Sequence, residues 1–241
     1  MNLGISGRVA LVTASSKGLG QASAVALAEE GCKVVVCARG EEALRATEKQ
    51  LAERTEVMAL VEDVTEPDAP RRLVQATVDR FGTIDILVPN AGGPPPTRAF
   101  EFDDEQLATA LNANLTTSIR LAREAVPHMR LNKWGRICCI TSYSLKQPLP
   151  TLALSNVART ALWAWIKTAA QDIFPDGITI NTAAPGSHAT DRIKALGGGN
   201  IDGAGDPADF GRVVAFLCSQ PANFITGAAL QVDGGATTGL L

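Results

Sequence analysis

Short, continuously apolar runs alternate with longer stretches whose apolar positions recur at helical spacing. The short runs are Val9–Ala14, Lys33–Ala38, Val57–Val61, Ile84–Pro89, Arg136–Thr141, Ile178–Ala183 and Ala229–Val232, and each reads as a strand. Between them, Leu19–Glu30, Glu41–Ala52, Ala69–Phe81, Asp104–Arg130, Leu152–Phe174 and Ala208–Cys218 carry the spacing of helices. Strands that are apolar throughout, rather than at every second position, are buried on both faces, which implies a parallel sheet covered by helices. Regular alternation of strand and helix winds such a sheet through right-handed crossovers into a doubly wound α/β fold of seven strands. No internal repeat or linker interrupts the pattern, so residues 1–241 are expected to form one domain.

Composition agrees with this picture and narrows the function. A chain of 241 residues, 46% hydrophobic and 20% charged, can bury a sizeable core and has no disordered bias. A formal charge of -3 argues against nucleic acid or an anionic membrane as the main partner. No apolar run reaches the length of a bilayer span. Near the N-terminus Arg8-Val9-Ala10-Leu11-Val12 reads as a strand rather than as a signal segment, so a cytoplasmic protein is expected. The five cysteines, Cys32, Cys37, Cys138, Cys139 and Cys218, form no CxxC pair, and His128 lies far from His188. Neither a disulfide framework nor a metal site is expected from that distribution.

Chemistry enters just after the first strand. Thr13-Ala14-Ser15-Ser16-Lys17-Gly18-Leu19-Gly20 leads directly into a helix. Gly18 and Gly20 let backbone approach a pyrophosphate, and the helix N-terminus offers free N–H groups to it. The loop resembles the TGxxxGxG motif of the short-chain dehydrogenase/reductase family, with Ala14 in place of the first glycine. Asp63-Val64, Asp85-Ile86-Leu87-Val88-Pro89-Asn90-Ala91-Gly92, Asn114-Leu115, Pro185-Gly186, Ile225-Thr226-Gly227 and Val232-Asp233-Gly234-Gly235 extend the resemblance along essentially the whole chain. It implies a single-domain Rossmann fold and a cofactor site of Thr13, Ser15, Ser16, Lys17, Gly18, Leu19, Gly20, Asp63 and Val64 at the adenosine side. Asn90, Ala91, Gly92, Pro185, Gly186 and Thr190 would follow the ribose and nicotinamide, with Asp63 at the adenine and Thr190 at the carboxamide. The second strand ends in Cys37-Ala38-Arg39, without the carboxylate that would bind a ribose diol and repel a 2′-phosphate. Arg39 and Lys17 offer positive charge there instead, so NADP(H) is expected over NAD(H).

The resemblance breaks at the catalytic residues. The family uses an Asn, a Ser, a Tyr and a Lys. Asn114 and Ser142 match the first two, but where the family has YxxxK this chain reads Ser155-Asn156-Val157-Ala158-Arg159. A serine hydroxyl is far less acidic than a phenol and reaches less far. Arg159 remains a permanent donor for the nicotinamide ribose. Two displaced proton donors suggest themselves next to Ser142: Tyr143, the sole tyrosine, and Lys146, which is expected to face the cofactor and a nearby arginine. His188, alone on a loop, is expected to be exposed. Gly92-Gly93-Pro94-Pro95-Pro96 should be stiff and extended, and the glycine-rich segment of about 186–206 should be a substrate flap at the carboxyl end of the sixth strand. Trp163 and Trp165, on opposite sides of one helix, suggest one core and one interface residue, hence a homodimer or homotetramer. The resulting expectation is an NADP(H)-dependent oxidoreductase acting on a small-molecule carbonyl or alcohol, with an atypical proton donor. The alternative is a non-catalytic NADP(H)-binding sensor or partner subunit.

Overall fold

The computed structural model describes residues 1–195 and 203–240, apart from the side chain of residue 194. Seven parallel strands form one sheet: β1 (Val9–Val12), β2 (Lys33–Ala38), β3 (Val57–Val61), β4 (Ile86–Val88), β5 (Gly135–Ile140), β6 (Ile178–Pro185) and β7 (Ala229–Val232). They lie in the order β3-β2-β1-β4-β5-β6-β7. The order reverses between β1 and β4, and at such a switch point the carboxyl ends of the strands open a crevice for ligands. The helices are α1 (Gly18–Glu29), α2 (Glu41–Ala52), α3 (Ala69–Phe81), α4 (Asp104–Leu111), α5 (Thr117–Leu131), α6 (Ala153–Ile173), α7 (Asp191–Ala195) and α8 (Pro207–Leu217).

Each central strand feeds two cores, because successive side chains point to opposite faces. Val34 and Val36 pack with Ala24, Leu27, Phe210 and Val214 beneath α1 and α8. Val35 and Cys37 pack with Leu73, Leu121, Leu162 and Ile166 beneath α3, α5 and α6. Helices α1 and α8 approach so closely that a side chain at Gly211 would collide with the Ala22 carbonyl. All five cysteines are buried free thiols in these cores.

Two boundaries differ from the sequence expectation in ways that matter for the site. Strand β1 stops at Val12 because Ala14 turns out of the sheet at φ 46°, in the left-handed region. The predicted helix Asp104–Arg130 is interrupted: Asn112–Thr116 winds as a π-turn between α4 and α5. The interruption has its own side-chain ties. Asn112 donates to the Thr65 carbonyl at 2.9 Å, and Thr117 Oγ1 donates to the Asn112 carbonyl at 2.8 Å. Such single π-turns recur at functional sites, and this one carries Asn114.

Candidate functional site

The carboxyl ends of β1, β2, β4, β5 and β6 border one continuous cleft of about 1740 Å³. Ala14, Ser16, Lys17, Gly18 and Leu19 form its floor, where α1 begins without a side-chain cap. The other motif residues of this loop turn inward. Thr13 Oγ1 donates to the Asn90 carbonyl at 2.7 Å and accepts from the Asn90 N–H at 2.8 Å, tying β1 to β4. Ser15 Oγ donates to Val12 O at 2.8 Å and accepts from Cys37 N–H at 3.2 Å. Gly20 sits where a Cβ would lie 2.6 Å from the Ala14 carbonyl. Thr13, Ser15 and Gly20 therefore shape the loop from behind and do not line the cleft, a correction to their expected contact role.

Beyond the loop, Arg39, Asp63 and Val64 line the adenosine side. Arg39 is exposed and, among the described residues, holds a long ion pair with Asp63, 3.7 Å between Nη1 and Oδ2. Burial raises the Asp63 carboxyl, but bonds from the Thr65 N–H and hydroxyl, together with Arg39, outweigh it and leave the group below its ordinary value. Lys17 lies 3.9 Å from Asp191. Asn90, Ala91, Gly92, Pro185, Gly186 and Thr190 continue the lining. A Cβ on Gly92 would meet nothing within 4 Å, so backbone is laid open there. Asn114 stands behind this wall: its amide donates to Gly92 O and Ala110 O at 3.3 Å each, and no described residue bonds its side-chain oxygen.

The far end of the cleft gathers Ser142, Tyr143, Ser155 and Arg159. Ser142 leaves β5 and opens a tight turn over Tyr143–Leu145, where its Oγ accepts from Ser144 N–H at 3.2 Å. That turn presents Tyr143 to the cleft and rotates Lys146 away from it. Lys146 Nζ donates to Gln231 Oε1 at 3.2 Å and lies 5.5 Å over the Trp163 ring. The expectation that Lys146 faces the cofactor is corrected accordingly. On α6, one helical turn brings Arg159 back over Ser155: Nε donates to Ser155 Oγ at 3.2 Å and Nη1 to the Ile140 carbonyl at 3.0 Å. Burial, with a smaller contribution from Arg192, pushes the Arg159 pKa down to about 10, so the group is still a cation at neutral pH.

The segment after β6 holds two residues that the sequence reading misplaced or missed. His188 is 5% exposed rather than free in solvent. Its ring packs edge-on against Phe210 at 5.2 Å, and the backbone around it pairs with Gly205, so the two limbs of the expected flap meet. Arg192, on α7, reaches across to the proline loop and donates from Nη2 to the Pro94 carbonyl at 2.6 Å. The proline loop is pinned on its other side, where Thr97 bridges to Leu152. Gly197, Gly198 and Gly199 of the expected flap lie outside the described residues. Trp165 lines a second groove of about 270 Å³ with Val126, Pro127 and Ala169, between α5 and α6. Trp163 is half-buried beneath Lys146, so neither tryptophan is a full core residue. No described helix is long and apolar enough to cross a membrane.

Residues 13–237 match the family described as enoyl-(acyl carrier protein) reductase. The chain is 34% identical over 242 residues to a 3-oxoacyl-[acyl-carrier-protein] reductase of Vibrio cholerae, covering 97% of this chain and 98% of that protein. It is 32% identical over 246 residues to dehydrogenase/reductase SDR family member 4 of Sus scrofa, covering 97% and 88%. Among solved structures, the L-sorbose reductase of Gluconobacter frateurii in complex with NADPH and L-sorbose superposes with a TM-score of 0.94 at 33% identity, covering 100% of both chains.

Proposed function

The chain belongs to the short-chain dehydrogenase/reductase family, and on that premise we propose that it is an NADP(H)-dependent oxidoreductase interconverting a small-molecule carbonyl and its alcohol. The observation that carries the proposal is the continuity of the cleft, which runs from the open glycine loop and Arg39 at one end to Ser142, Tyr143 and Arg159 at the other. The residues fit a dinucleotide. The start of α1 is uncapped on the pyrophosphate side, Gly92 leaves room for a ribose, and Arg39 can form a fork-like pair with a 2′-phosphate. Ala38, where an NAD-type carboxylate would stand, has no charge. Thr190 would hold the nicotinamide carboxamide, and Arg159 stands where both the nicotinamide ribose and the substrate can reach it. NADPH supplies a hydride when bound. Ser142 Oγ holds the substrate oxygen, and Tyr143 Oη delivers the proton to that oxygen as the alcohol forms. Ser155 serves a different purpose from the phenol it replaces: its hydroxyl accepts from Arg159 and fixes that cation in place. Asn114, braced by the π-turn, orients a water behind the site.

Titration with both cofactors tests the nucleotide half. NADPH should bind at least about tenfold more tightly than NADH, and Arg39→Ala should remove most of that difference. Equal affinities would contradict the cofactor assignment. Tight NADPH binding without turnover of any compound in a broad ketone and alcohol panel would favour a sensor. The groove along Val126, Pro127 and Trp165 supports a homo-oligomer in which a second copy covers α5 and α6. Light scattering that reports a monomer at micromolar concentration would contradict this.

A further inference from the structure

Two guanidinium groups line the cleft with charge that no carboxylate among the described residues is shown to pair with. Arg159 is 8% exposed, yet among the described residues no carboxylate pairs with it. Its partners are one hydroxyl and one carbonyl, from Nε and Nη1, and Nη2 makes no bond to any described residue. A buried cation is costly unless an opposite charge meets it, and the cleft is the side from which one can come. Arg192 arrives from α7. Its guanidinium lies against Gly93, where a Cβ would sit 3.0 Å from Nη2, and among the described residues it donates to Pro94 O. Both guanidinium groups line the same cleft, and the charge of Arg192 adds to burial in lowering the Arg159 pKa.

We propose that Arg159 and Arg192 together take an anionic group of the substrate, so that the carbonyl compound handled here is an oxo acid and the alcohol a hydroxy acid. The inference rests on the oxidoreductase reading above and names its substrate class. A carboxylate suits the site, because its two oxygens accept from a planar fork while the carbonyl a short distance along the molecule is left to Ser142 and Tyr143. The cofactor's own phosphates are provided for elsewhere: the pyrophosphate by the glycine loop and α1, the 2′-phosphate by Arg39 just after β2, whereas Arg159 is anchored at the end of β5 through Ile140. Arg192 also ties the start of α7 to the proline loop across the cleft, so an acid bound beneath it would be covered on its outer side.

The test compares oxo acids of graded length with their methyl esters on the NADPH-loaded protein, by calorimetric titration and by NADPH oxidation. The acids should bind at least about tenfold more tightly than their esters. Arg192→Met should bring that ratio close to one, and Arg192→Lys should restore part of it. Esters that bind as well as the acids, or a ratio unchanged in Arg192→Met, would overturn the proposal. So would Arg192→Met weakening NADPH itself as much as Arg39→Ala does, since that would assign the anion to the cofactor. Turnover of neutral ketones without preference for acids overturns this inference and leaves the oxidoreductase reading intact. Tight, Arg192-dependent binding of acids with no turnover of any compound supports the anion site and contradicts that reading.

Discussion

At the amino end of β5, Arg136 is 2% exposed and spends its guanidinium on three carbonyl oxygens, those of Gly135, Gly177 and Ser219, with the Trp134 ring 4.4 Å beneath it. At the carboxyl end of the same strand, Arg159 is nearly as buried but bonds only Ser155 Oγ and Ile140 O among the described residues, and it opens on the cleft. Burial lowers the pKa of both groups. What separates them is placement: Nη2 bonds no described residue in either, but Arg136 has three backbone acceptors at the closed end of the strand, whereas Arg159 has two partners and lines the cleft. Burial of a cation therefore does not mark function by itself in this fold. Position at the carboxyl ends of the strands, where open α/β sheets bind ligands, is what sets Arg159 apart.

That contrast can be broken by removing each charge in turn. Arg159→Met should lower kcat/KM for carbonyl reduction by about 10²-fold or more while the melting temperature stays within a few degrees, because deleting an uncompensated buried charge relieves its desolvation. Arg136→Met should do the reverse. It strands three carbonyl acceptors and should cost about 3 kcal/mol of stability, a fall of about 10 °C in a domain of this size, with kcat/KM of the folded fraction unchanged. Calorimetry and steady-state kinetics on the two variants read both effects. If Arg159→Met unfolds the protein or Arg136→Met silences it, the distinction between the two ends of β5 fails.

A smaller effect sharpens the same point at the loop. Ala14 holds φ 46° where the family motif has glycine, and the left-handed region costs a residue with a Cβ about 1 kcal/mol. Ala14→Gly should raise the melting temperature by about 2–4 °C and leave the NADPH dissociation constant nearly unchanged. A loss of stability would mean that the turn is not strained.

The fold was legible because the strands are apolar without interruption and the helices are not; all seven strands fall within two residues of where the pattern puts them. The break at Asn112–Thr116 was not, since the apolar spacing of Asp104–Arg130 continues through it and only the side-chain ties of Asn112 and Thr117 reveal the π-turn. Motif matching located the glycine loop but could not say which way each side chain points. Thr13 and Ser15 are consumed in joining β1 to β4 and to β2. Lys146 was misplaced because its nearness to Ser142 in sequence is undone by the tight turn at Tyr143–Leu145, which sends it to Gln231. His188 was assumed exposed because its loop reads as glycine-rich, whereas pairing with Gly205 folds it against Phe210. Arg192 carried a signal that went unused: a second cation two positions past Thr190, on the segment that leaves β6 for the cleft.

In the proposed reaction the proton donor has moved from α6 to the turn after β5. Tyr143→Phe tests it most directly, with NADPH oxidation measured on an accepted carbonyl substrate beside the NADPH dissociation constant. A displaced donor at Tyr143 should give a fall in kcat of about 10²-fold, the size expected for a lost general acid, with cofactor affinity unchanged. Full turnover in Tyr143→Phe would contradict it.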